Sequence, residues 1–176
     1  SFGELLKFAI LVIVIFLPIR MFVAQPFVVS GDSMFPTFEN GDYLIVDEIS
    51  YRFEKPERGD IAIFRSPREP SLYLIKRLVG LPNETIEVYG DVVTIKNATE
   101  TSEIILEEPY ISTKGYMNKK ITLKSKEYFF MGDNRGFSSD SRIFGAVPEK
   151  NIKGKVLLRL FPIKHIDLMP GKWIYE

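Results

Sequence analysis

At 176 residues, 45% of them hydrophobic and 26% charged, the chain is long enough for one cored domain with a small appendage. Its formal net charge of zero, with Lys and Arg scattered along it, argues against a nucleic-acid partner. No cysteine means no thiol nucleophile, disulfide or thiolate metal site. A single histidine rules out a histidine-rich zinc centre, so neither a metal nor another cofactor is expected.

The first segment differs in kind from the rest. Phe8 to Leu17 contains no polar residue, and the apolar character resumes at Met21 to Ala24 after Pro18, Ile19 and Arg20. From Phe8 to Ala24 the stretch is about long enough to cross a bilayer. Arg20 near one end can reach the interface, and Pro18 kinks a spanning helix without forbidding it. Residues 1–24 are therefore read as a membrane anchor. A cleavable leader is the alternative, but no clean small-residue cleavage pattern follows. Lys7 on one side and Arg20 on the other leave the orientation open.

From residue 25 the pattern turns to strands, and 25–176 is read as one β-rich domain. Val28-Val29, Tyr43 to Val46, Ile61 to Phe64, Leu72 to Val79, Thr85 to Val88, Val92 to Ile95, Tyr128 to Met131 and Val156 to Leu160 are short β-branched or aromatic runs. Turn residues at 39–42, 58–60, 89–91 and 132–134 separate them. No useful helical period follows the anchor. The expected class is mainly β, a folded antiparallel sheet or barrel behind an N-terminal helix. Residues 97–126 are more polar and weakly patterned, an excursion from the core sheet rather than a second domain.

Three stretches carry chemistry. In Ser30-Gly31-Asp32-Ser33-Met34-Phe35-Pro36-Thr37, Gly31 and Pro36 bracket a serine in a constrained loop, although an ordinary turn has the same composition. In Leu72 to Pro82, strand alternation sets Leu72, Leu74, Lys76 and Leu78 on one face and Tyr73, Ile75, Arg77 and Val79 on the other. A lysine among leucines either extends its amine out to water or is desolvated. Desolvation lowers its pKa and lets it take a proton from a serine hydroxyl. The pattern leaves both readings open. The third stretch, Gly132 to Arg142, is dense in hydrogen-bonding groups. If extended, it sets Ser138, Asp140 and Arg142 on one face, although a solvated loop fits too. His165, in the unpatterned Leu160 to Leu168, is expected to pack or face water. Proton transfer near neutral pH then falls to a perturbed Lys, Asp, Glu or Tyr. The G-x-S-x-G, S-x-x-K, P-loop and H-E-x-x-H motifs are absent.

Taken in this order, the three stretches resemble the boxes of the type I signal peptidase family of Ser-Lys endopeptidases. The similarity runs from the anchor to about Pro162, and Phe22 to Phe27 and Val156 to Pro162 fit it as well. The resemblance implies a β-rich catalytic domain on the outer face of the cell membrane, held by an N-terminal helix. A single anchor before the serine is similar to the Gram-positive type. The implied activity is removal of signal peptides from secretory preproteins, after small residues at the −1 and −3 positions. It implies Ser33 as nucleophile, Lys76 as general base and Ser138 as the group that orients the lysine amine. Asp140, Arg142 and Asp133 brace that wall, and Val29, Met34, Leu74 and Ile75 line a shallow pocket. The Ser33 N–H is the implied oxyanion donor. Gly31 stands where some relatives supply a second donor from a serine, so that donor is undefined. Asn83-Glu84 departs from the Gly-Asp that often ends the lysine box and implies an altered turn. Two other readings stay open: a specialised Ser-Lys maturation peptidase, and an idle membrane-anchored β-domain that binds partners.

Overall fold

Each turn-bounded apolar run folds as an antiparallel strand. The computed structural model describes residues 2–22, 24–97 and 103–175, with backbone alone for 16–22 and 24. The strands in chain order are β1 (Ala24–Val28), β2 (Tyr43–Asp47), β3 (Ile61–Arg65), β4 (Tyr73–Gly80), β5 (Glu84–Tyr89) and β6 (Val92–Asn97). They continue as β7 (Glu103–Ile105), β8 (Asn118–Thr122), β9 (Glu127–Met131), β10 (Val147–Pro148), β11 (Ile152–Phe161) and β12 (Asp167–Leu168). The helices are α1 (Phe2–Phe22) and the single turn α2 (Ser141–Phe144).

The large sheet runs β1-β2-β11-β3-β4-β9-β10, with β12 also on β11. Pro26, which cannot donate to a ladder, sits on the edge strand β1. The sheet curls. Phe27 of β1 and Tyr73 of β4, with three strands between them in that order, meet edge-to-face at 5.8 Å. Strand alternation divides the core. Ile61 and Ile63 of β3 pack with Met34, Phe38, Leu44 and Val46, whereas Ala62 and Phe64 pack with Leu78, Tyr128 and Phe130. The small sheet, β7-β6-β5-β8, joins the large one through Val79, Ile86, Val93, Phe129 and Met131. The described part of 97–126 supplies β7 and β8 to the small sheet.

Within the segment read as an anchor, residues 2–22 form α1. Its described apolar side chains at Phe2, Leu5, Leu6, Phe8 and 10–15 are exposed. Among the described residues no helix meets the length and apolarity that crossing a membrane requires. The apolar run continues into residues 16–22, whose side chains lie outside the described set.

The end of the lysine box is a turn of unusual form. Asn83 takes φ +67°. Glu84 accepts the Leu81 N–H at 2.7 Å and pairs with both terminal nitrogens of Arg58.

Candidate active site

The serine loop hangs between two glycines. Gly31 (φ +89°) and Gly41 (φ +92°) adopt the left-handed backbone that side chains disfavour. The Gly31 N–H donates to Asn40 Oδ1 at 3.0 Å, and the Gly41 N–H to the Val29 carbonyl at 2.9 Å, which closes the loop on itself. Inside it, the Phe35 N–H donates to the Asp32 carbonyl and the Phe38 N–H to the Met34 carbonyl. Met34 and Phe38 are sunk in the core beneath, so Ser33 stands half-buried above it.

Lys76 reaches this serine from β4. Its Nζ donates to Ser33 Oγ at 2.7 Å and to the Ile75 carbonyl at 2.8 Å. Only 3% of Lys76 is exposed, and Ala62 is its cross-strand partner. Burial pulls its pKa from 10.5 down to about 8, and the more distant charges of Asp140 and Asp133 oppose that shift. Among the described residues no carboxylate forms an ion pair with it.

Behind the pair stands a wall of forked ion pairs. Arg77 Nε and Nη2 bind Asp133 Oδ1 and Oδ2 at 2.8 and 2.7 Å, and Asp133 also accepts the Thr37 hydroxyl at 2.5 Å. Arg142 Nε and Nη2 bind Asp140 Oδ1 and Oδ2 at 2.8 and 2.7 Å. Asp140 also accepts the backbone N–H of Gly132 and caps α2 by accepting that of Arg142. Burial works to raise the Asp140 carboxyl, but its bonds to Arg142 hold it below the usual carboxylate range. The Asp140–Arg142 pair thus exists, but through a helix cap rather than alternation along an extended segment.

Two expectations fail in detail. Ser138 is buried, yet its Oγ makes no hydrogen bond to Lys76. Its hydroxyl faces Asp140 instead and helps hold that carboxyl low. The second bond of Lys76 goes to the Ile75 carbonyl instead. Ser138 and the serine loop still crowd together around Gly132, where a β-carbon would run into Ser138 and the Ser33 carbonyl. A groove of about 320 Å³ beside Ser33 and Lys76 is lined by Val29, Leu74 and Ile75, with Leu44 and Ile63. Met34 does not line it, because the loop turns that side chain down into the core. Ser139 and Tyr73, not foreseen, do line it. His165 is exposed and contributes a carbonyl to Arg159.

The excursion supplies four further residues with no sequence signal. Glu108 pairs with Arg135 through both carboxylate oxygens, and the Tyr110 ring lies 3.7 Å from the Arg77 guanidinium carbon. The Ser112 hydroxyl donates to the Phe35 carbonyl at 2.8 Å, and that of Thr113 to Asn134 Oδ1 at 2.5 Å. They reach the site from more than 20 residues away and form no local motif.

A family profile described as signal peptidase, peptidase S26, matches residues 2–161. A probable signal peptidase I-1 of Synechocystis sp. is 38% identical over 157 residues, covering 85% of this chain and 78% of that protein. Signal peptidase I of Leptolyngbya laminosa is 39% identical over 162 residues, covering 88% and 77%. Signal peptidase I V of Bacillus subtilis is 36% identical over 154 residues, covering 82% and 90%.

Proposed function

The chain belongs to the signal peptidase family, peptidase S26, and is a serine endopeptidase of that family; from this premise we propose that Ser33 is its nucleophile and Lys76 its general base. The observation that carries the assignment is the 2.7 Å contact between Lys76 Nζ and Ser33 Oγ, made by an amine whose pKa burial has lowered to about 8. A neutral Lys76 takes the Ser33 proton as Oγ attacks the scissile carbonyl. The oxyanion that forms faces the Ser33 N–H. Collapse expels the amine of the departing chain, which receives the proton held by Lys76, and leaves an ester on Ser33. Lys76 then deprotonates a water that attacks the ester. The second collapse releases the acid and returns the proton to Ser33.

The substrate reading is a secretory preprotein, cleaved after small residues at −1 and −3. Two strand edges support an extended peptide here. Among the described residues β1 pairs only with β2, and β4 pairs with β9 only from Arg77 onward, so residues 73–76 keep one edge without a strand beside the groove. Apolar Val29, Leu44, Ile63 and Ile75 suit short apolar side chains. Asp133, Asp140 and Arg142 hold the wall rigid, and Ser138 packs between it and the serine loop.

The localisation reading is a single anchor in the cell membrane, with the catalytic domain on the extracytoplasmic face. A helix whose described side chains expose Leu, Ile, Val and Phe supports it. The exposed Leu160, Phe161, Ile163, Ile166 and Leu168 suit contact with the lipid surface.

Cleavage of a signal-peptide substrate by purified protein tests the dyad. Ser33→Ala and Lys76→Ala are each expected to lower kcat by roughly 10⁴ or more. Near-wild-type cleavage by either variant contradicts the assignment. Alkaline carbonate extraction tests the anchor, with protein expected in the pellet and release to the supernatant contradicting it.

A further inference from the structure

We propose that Asn134 is a positioning residue that aims the Ser33 N–H at the developing oxyanion, and that Thr113, from the excursion, sets the Asn134 amide. The proposal rests on the reading of Ser33 as nucleophile.

Asn134 holds the peptide units on both sides of the serine. Its Nδ2 donates to the Asp32 carbonyl at 2.9 Å, and its backbone N–H donates to the Ser33 carbonyl at 3.1 Å. A carbonyl and the N–H that follows it belong to one planar unit and point in opposite directions when the bond is trans. Holding the Asp32 oxygen therefore fixes the direction of the Ser33 N–H. That N–H has no acceptor among the described residues, which leaves it available to a ligand. Gly31, where a second donor was sought, spends its own N–H on Asn40. Orientation of the one defined donor accordingly carries more weight.

The amide of Asn134 is set in turn. The Thr113 hydroxyl donates to Asn134 Oδ1 at 2.5 Å and accepts the Gly136 N–H at 2.9 Å. The Thr113 oxygen accepts from the Gly136 N–H while its proton goes to Oδ1, which can only accept, so Nδ2 is left to face Asp32. The backbones of Thr113 and Asn134 also form a β-bridge. The chain of bonds runs from Gly136 through Thr113 and Asn134 to Asp32 and ends at the Ser33 N–H. Each bond polarises the next. None of these groups touches Lys76 Nζ, so the relay acts on the oxyanion and leaves the base alone.

The test is steady-state cleavage of a signal-peptide substrate by the full chain in detergent, with Asn134→Ala, Thr113→Val, Thr113→Ser and the Thr113→Val/Asn134→Ala double variant. Asn134→Ala is expected to lower kcat about 10- to 100-fold, less than the loss of a direct oxyanion donor, with KM within about twofold. The pH midpoint of the rate stays in place. Thr113→Val loses about 3- to 10-fold, Thr113→Ser recovers most of that loss, and the double variant is no slower than Asn134→Ala. Affinity for a peptide boronic acid, which forms a tetrahedral adduct on a serine oxygen, falls by the same factor as kcat/KM. Multiplying losses in the double variant, a rise in KM at constant kcat, or a shifted pH midpoint overturns the proposal. If Asn134→Ala fails to fold, the Thr113 pair decides alone: equal kcat in Thr113→Val and Thr113→Ser overturns it. Ser33→Ala run alongside separates the two readings. An active Ser33→Ala removes the nucleophile assignment, whereas an inactive one beside an unimpaired Asn134→Ala removes only the role of Asn134.

Discussion

Two sets of buried cations sit side by side in this molecule and are treated in opposite ways. Arg77, Arg135 and Arg142 are each locked to a carboxylate by two parallel hydrogen bonds. Their spare donors go mostly to carbonyls: Arg77 to Gly59 and Gly171, Arg135 to Gly132, and Arg142 to Arg135. Lys76, next in sequence to Arg77, meets one hydroxyl and one carbonyl and no carboxylate. Arginine stays charged in a protein, and its fork matches a carboxylate, so it suits a permanent support. Lysine gives up its proton when desolvated, so it suits the position where a proton must move. The wall can stay charged because each of its arginines is paired with a carboxylate. The base is usable because its charge is not.

Breaking the paired side should cost most. Asp140→Ala strips Arg142 of its partner, the Gly132 N–H of its acceptor and α2 of its cap, and is expected to destabilise by about 3–5 kcal/mol in urea unfolding. A cost under about 1 kcal/mol there, the range of exposed pairs, contradicts the account of the wall.

The unpaired side predicts the opposite sign. The folded pKa of Lys76 lies below its ordinary value, so folding penalises the charged form. The penalty is present in full below about pH 8 and fades as pH rises toward 10.5. Lys76→Met should therefore be more stable than the native chain near pH 7 by up to ~3 kcal/mol. The gap should close in alkaline solution. Equal or lower stability of Lys76→Met at pH 7 counts against a desolvated lysine. The exposed pair Lys124–Glu127, at 3.7 Å, gives the baseline. Lys124→Ala should change stability by less than about 1 kcal/mol, and a larger loss shows that surface pairs too carry the fold.

The contrast was only half legible in the sequence. Lys76 among leucines and the Asp140–Arg142 pair stand out because strand alternation and opposite charge are local patterns. Even so, the pair forms through a one-turn helix that four residues cannot announce by periodicity. Most of the large sheet was readable because both faces of strands such as β3 and β4 are buried and rich in β-branched residues. β7 and β8 were not, because β7 is wholly exposed and β8 has only one apolar residue, the half-buried Ile121, among polar ones. Glu108, Tyr110, Ser112 and Thr113 come from this same weakly patterned region, and only the tertiary fold brings them to the site. Met34 was misread as a pocket residue because loop composition does not say which side chain turns inward. For Ser138, the family resemblance implied a bond to Lys76 that the amine gives to a carbonyl instead.

Direct titration of Lys76 bears most closely on the Ser33–Lys76 pairing. NMR detection of isotopically labelled lysine side chains, with Lys76→Met to assign the resonance, reads its pKa in the active protein. The expected midpoint is about 8, matched by a rise of kcat/KM with pH through the same value. A midpoint near 10.5, or a rate flat across that range, contradicts the account.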